Sequence, residues 1–178
     1  MNARPEAVAG TEGKSATTSL RADALAKVLE QGASALGAFA ETLTDAEWQM
    51  PVSATDRRKI GVIIYHVASI YPLEVQLAQK LAGGGVISDV TWDNVHELNA
   101  GVAKENVNVT KAEALALLKK NSAEAAAALR AIPDADLDRI APNSLYGNAP
   151  MTCQFMFEDH AVRHSYHHLA KIRAAVKR

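Results

Sequence analysis

The chain has 178 residues with 19 Lys and Arg against 20 Asp and Glu, a formal net charge of −1. That length supports one domain with a sizeable core, and the near-neutral balance leaves no broad basic field for a nucleic-acid backbone or an anionic membrane. The single cysteine, Cys153, permits no internal disulfide, and neither a secretory leader nor an apolar run long enough to span a bilayer is evident, so a cytoplasmic protein without membrane or nucleic-acid partners is expected.

Alanine-rich windows, scarce two-residue alternation and prolines placed mostly between periodic segments indicate an all-α chain. Residues 1–17 mix Gly, Pro, Ser and Thr with charge and show no apolar period; they read as a disordered or loosely attached tail, leaving 18–178 as the folded domain. A first helix is expected from about Ser19 to Leu43, with Leu25, Val28, Leu29, Leu36, Phe39 and Leu43 recurring at threes and fours. Thr44 or Asp45 can then cap a short turn. After a loop through Met50, Pro51 and "TDRRK", a second helix should run from about Lys59 to Leu81 and end at the glycines 83–85. Pro72 falls inside it, removing a backbone donor and crowding the preceding turn, so a kink or break is expected there.

Residues 83–110 form a long connection in which "TWDNVHELNAGVAKEN" reads as a short helix and a loop. A third helix, from about Lys111 to Ile132, opens on the cap-like "TKAE", carries Ala114, Leu117, Leu118, Ala125 and Leu129, and stops before Pro133. "PDADLDRIAPNSLYGNAP" reads as a loop with at most one turn, and a fourth helix follows from about Thr152 to Val176. Four long amphipathic helices with a long crossover between the second and third give a four-helix bundle.

The fourth helix holds four of the six histidines, at 160, 164, 167 and 168. At about 100° per residue with His160 at zero, Phe157, Ala161, Ile172 and Ala175 centre an apolar face near 90°, and His164 (about 40°) and His168 (about 80°) lie inside it. His160 and His167 fall on its rim. His164 and His168, four residues apart, stack their rings one turn apart, close enough for both to bind one cation. On the second helix His66 is flanked on its own face by Ile63, Val67 and Ile70, so its ring also points among core positions. A buried imidazole without a partner costs about 1–3 kcal/mol. A core-facing His on one long helix and a core-facing His pair on another therefore point to a three-His metal site.

Bland readings hold for the other candidates. His96 lies in the crossover, where a solvated or capping role is expected; His167 is surface, and His160 lines the pocket or bonds to the ligands. Cys153 is a small buried hydrophobe at the start of the fourth helix. Glu74, eight residues after His66, would face the site only if the helix kept its phase through Pro72. The chain lacks H-E-x-x-H, C-x-x-C, a Gly-rich phosphate loop and the Glu-x-x-His repeat of di-iron bundles.

"IIYHVAS" around His66 and "HAVRHSYHHLAKI" in the last helix resemble the DinB family, within the wider DinB/YfiT-like group of metal-dependent enzymes. The likeness runs from about residue 19 to the end and includes "LNA" in the crossover. It implies an up-down bundle with a long crossover, one divalent metal on His66, His164 and His168, and a homodimer formed through helical faces. Lys171 stands where the family usually has Gln, three residues after the last ligand. Three neutral imidazoles leave metal positions open, as catalytic sites do, and Zn²⁺ or Ni²⁺ suits them. Relatives that use low-molecular-weight thiols imply thiolate activation for S-transfer or isomerisation, with a thiol and an electrophile as partners and His160 or Tyr166 as weak candidates for catalytic or supporting roles. The alternatives are hydrolysis by a bound hydroxide and a non-catalytic stress-response protein that binds a metal or small ligand.

Overall fold

The computed structural model describes residues 19–177; the expected tail at 1–17 lies outside the described residues. In chain order the elements are α1 (Leu20–Glu41), a short α2 (Asp45–Trp48), α3 (Ile60–Ala82), α4 (Trp92–Glu105), α5 (Lys111–Arg130) and a short α6 (Asp134–Leu137). A hairpin of β1 (Ile140–Asn143) and β2 (Ala149–Thr152) follows. The last helix is built from α7 (Cys153–Phe157), a π turn over Glu158–Val162 and α8 (Arg163–Val176).

Helices α1, α3, α5 and the α7–α8 helix form the bundle, with α3 packed on α5 and α7, and α1 packed on α5 and α8. The inward stripe of α1 is mostly small: Ala22, Ala26, Leu29, Gly32, Ala33, Leu36 and Ala40. Val28, expected on that stripe, is 39% exposed instead. Its carbonyl accepts the Tyr166 hydroxyl at 3.1 Å, and the Tyr166 ring lies over Gly32, where an added Cβ would come within 2.6 Å of it. Small residues are thus what let α1 approach α8 closely.

Three short segments are tied by their own sequences. Thr44 with Glu47, Thr91 with Asn94 and Thr110 with Glu113 each form a capping box at the starts of α2, α4 and α5. Trp48 of α2 lies buried against Gly61, and its indole N–H donates to the Val109 carbonyl at 3.1 Å.

Two expectations are corrected here. The hairpin occupies a segment read as loop, pairing Ile140 with Thr152 and Pro142 with Pro150. Gly147 and Asn148 turn the chain back with φ of 64° and 63°, a region Gly and Asn tolerate. The α3 helix, for its part, is long and apolar enough by length and composition to cross a membrane, contrary to the sequence reading. Most of it is buried within the bundle, which is why it is so apolar.

Helix α3 also runs unbroken through Pro72. A proline cannot donate to the carbonyl four residues before it, which here belongs to Ala68. The side-chain amide of Asn121, on α5, donates to that carbonyl at 2.8 Å in a buried position. The break expected at Pro72 is thereby prevented from outside the helix.

Replacing Asn121 with Leu should cost about 1–3 kcal/mol by leaving the Ala68 carbonyl buried and unpaired. In a Pro72→Ala background the restored backbone N–H should recover most of that loss. Urea unfolding of the four variants checks this, and an equal cost in both backgrounds would contradict it.

Candidate metal centre

His66 comes from the second turn of α3, and His164 and His168 from successive turns of α8. Their ring centroids are 5.1 Å (His66 to His164), 5.5 Å (His66 to His168) and 4.9 Å (His164 to His168) apart. One nitrogen from each ring falls within 4.8 Å of the other two. His66 and His168 are 6% and 8% exposed. The rotation of α8 that aims its two rings at α3 is fixed next door, where buried Ser165 bonds the Tyr71 hydroxyl of α3 at 2.7 Å.

Because α3 keeps its phase through Pro72, Glu74 joins the cluster, a placement the sequence left open. Its Oε1 lies 2.8 Å from Nδ1 of His164, out of alignment for a hydrogen bond. Nδ1 of all three imidazoles and Oε2 of Glu74 are buried with no hydrogen-bond partner among the described residues. Burial, and secondarily the nearness of the other imidazoles, push His66 down to about 3 and His168 down to about 2. Both rings are therefore neutral near pH 7 and offer lone pairs. Imidazoles converging from two helices, two of them buried and neutral, are a donor set that suits a divalent cation.

The cluster opens onto a cavity of about 200 Å³. Its apolar wall comes from Ile70, Leu73 and Leu77 of α3, Trp92 and Val95 of α4, and Leu145 of the hairpin turn; Asn99, Asp159, His160, Arg163 and His167 supply its polar groups. The Tyr146 hydroxyl donates to Asp159 and lies 3.0 Å from Nε2 of His160, from which its oxygen can accept. Asp159 also pairs with Arg163 at 3.2 Å. Burial pulls His160 below its ordinary value and, with the Asp159 carboxylate, raises Tyr146 above its own.

His160 thus lines the cavity. Tyr166 does not: its hydroxyl is spent on Val28 and its ring on Gly32. His167 is exposed at the cavity with its ring against His168, and His96 is exposed beside Trp92. Cys153 is fully buried, its thiol donates to the Ala78 carbonyl at 3.3 Å, and burial pushes it up to about 11, so it is inert packing. Lys171 is exposed. Asn99 is marked in the sequence only as the centre of "LNA" in the crossover, Asp159 only by standing next to His160, and Tyr146 by no local signal.

A family model of the DinB superfamily matches residues 28–172, a span that includes the three histidines. Among solved structures, YfiT from Bacillus subtilis has the same fold, with a TM-score of 0.70 at 19% identity over 98% of this chain and 92% of that one. It is described as a probable metal-dependent hydrolase with an unusual four-helix bundle topology. No curated protein matches the chain. With the family model spanning α1 to α8 and the bundle shared, the chain belongs to the DinB superfamily.

Proposed function

We propose that the protein is a metal-dependent hydrolase that holds one divalent cation, Zn²⁺ or Ni²⁺, on His66, His164 and His168. The observation that carries this reading is Glu74, a buried carboxylate beside His164 whose Oε2 has no hydrogen-bond partner among the described residues. A divalent ion with open positions polarises a carbonyl and acidifies water. What the chain adds is a proton acceptor within reach, since one oxygen of Glu74 lies at His164 and the other is free. His160, held by Tyr146, is a second proton-handling group in the cavity lining. The apolar wall of Ile70, Leu73, Leu77 and Val95 limits water around them.

A second reading, thiolate activation for transfer to an electrophile, is supported by the family resemblance and by Arg163 and His167 at the cavity, which suit the carboxylate of a peptide-like thiol. Turnover of p-nitrophenyl esters and p-nitroanilides without thiol supports the first reading; turnover only with thiol supports the second.

Elemental analysis of untagged protein should find about one Zn or Ni per chain. Alanine at His66, His164 or His168 should each abolish that stoichiometry while the circular dichroism stays helical; metal retained in the His164→Ala variant would refute the ligand set. Glu74→Gln should keep the metal and lower kcat by about 10²–10⁴-fold. Unchanged kcat would remove Glu74 from the reaction.

The depressed values of His66 and His168 also set the sign of the pH dependence. Both lie below about 6.5 in the folded state, so the unfolded chain binds more protons beneath that pH, and stability falls as pH falls. Chelator-treated protein should show denaturant midpoints that drop steadily from pH 7 to pH 5, while zinc-loaded protein holds its midpoint to lower pH. A flat profile for the treated protein would show that the rings are not buried neutral.

A further inference from the structure

The crossover helix α4 is built unlike the other long helices. None of its 14 residues is buried. The side chains it turns toward the bundle, Trp92, Val95 and Asn99, follow one helical face and all line the cavity. Its start is fixed over the site by the Thr91 and Asn94 capping box and by the Trp92 indole N–H, which donates to the Leu145 carbonyl at 2.8 Å. A helix that gives the core almost nothing and gives the cavity a whole face is a recognition wall.

On that wall Asn99 Oδ1 is buried without a hydrogen-bond partner among the described residues, as is Glu74 Oε2 across the cavity. Both are acceptors. A ligand that enters displaces whatever solvent pairs them and must bring a donor in its place, because stranding a buried acceptor is costly. The hydrolytic reading supplies an acyl substrate, whose carbonyl a metal ion polarises. A carbonyl with a donor on its adjacent atom is an amide or a carboxylic acid, and the acid ionises to an acceptor that Glu74 repels. An ester has no donor there.

We propose that Asn99 is the specificity-determining residue of this site, and that it accepts the N–H of a carboxamide substrate whose apolar part lies along Trp92, Val95 and the α3 wall. The inference deepens the hydrolytic reading and rests on it for the carbonyl. In the reaction the C–N bond breaks, the carbon taking the hydroxyl of water and the nitrogen its remaining proton, to give a carboxylic acid and an amine with no oxidant or reductant.

Recognition is tested by binding, apart from turnover. Zinc-loaded full-length protein is titrated with N-methylhexanamide and with N,N-dimethylhexanamide, which lacks the N–H, following the Trp92 indole signal by ¹H–¹⁵N NMR. The secondary amide should bind at least about tenfold more tightly. Asn99→Leu should shrink that ratio to within about twofold without changing zinc content or the Kd of the dimethyl compound, and Asn99→Asp, which keeps an acceptor, should preserve it. Equal binding of the two amides, no binding of either, or a ratio untouched by Asn99→Leu would overturn the proposal. If the ratio depends on Asn99 while p-nitroanilides are not hydrolysed, the recognition wall stands and the hydrolytic reading falls.

Discussion

A proline fewer than two turns from a candidate ligand would ordinarily kink or break the helix and lose the phase of the residues beyond it. At Pro72 the backbone loses a donor, and the Ala68 carbonyl that it strands sits only two residues past His66. Asn121 supplies the missing N–H from another helix, so two groups that would each be costly to bury alone satisfy one another. The same bond pins α3 to α5 at the level of the site. Because the helix then keeps about 100° per residue, Glu74 lies about 80° around from His66 after eight residues, close enough in phase for both to reach His164. A residue on α5 that is no part of the cavity thus determines which side chains can meet in it.

The three imidazoles are the energetic counterpart of that constraint. His66 and His168 are buried with an Nδ1 that meets no hydrogen-bond partner among the described residues, and a stranded buried group costs about 1–3 kcal/mol. Against a total stability of about 5–15 kcal/mol, two such groups are a sizeable cost for packing alone to carry. The protein carries it through rigidity. Tyr71 and Ser165 lock the facing surfaces of α3 and α8, and the Cys153 thiol joins α7 to the end of α3 through Ala78. Those contacts hold α3 and α8 in register, and a cation that takes the lone pairs facing the cavity removes the cost. Fold strain and metal affinity are two readings of one arrangement.

The parts of this design that were legible in the sequence are those with a local period. The four long helices follow from apolar spacing, and His164 and His168 share a face because four residues always nearly close a turn. Their convergence with His66 was read from core-facing positions and family likeness, and the structure brings the three rings together. What escaped depends on partners distant in the chain. Continuity at Pro72 depends on Asn121, 49 residues later, so the phase of Glu74 could not be computed. The hairpin was hidden because Pro142 and Pro150 sit in its strands and face one another across it, although "GN" at 147–148 is a turn signal that could have been used. The π turn at Glu158–Val162 has no sequence signature, yet it shifts His160 off the uniform wheel on which it was placed.

The two halves of the site are built to different standards of rigidity. The imidazoles and Glu74 come from α3 and α8, bundle helices locked to one another by buried bonds. The opposite wall comes from α4, which buries nothing, and from a hairpin turn that reaches back through Tyr146 to the π turn. A cation needs fixed donors, because displacing a ligand by an ångström loses it, whereas an apolar ligand tolerates a wall that shifts. Substitutions on the α4 face can therefore change what is bound with little effect on the cluster, since α4 has no fully buried residue and meets the core mainly through Val95 and the Trp92 bond to Leu145. The bundle fixes where a cation would sit, and the crossover helix, free of structural duty, is the part of the fold on which substrate choice can vary.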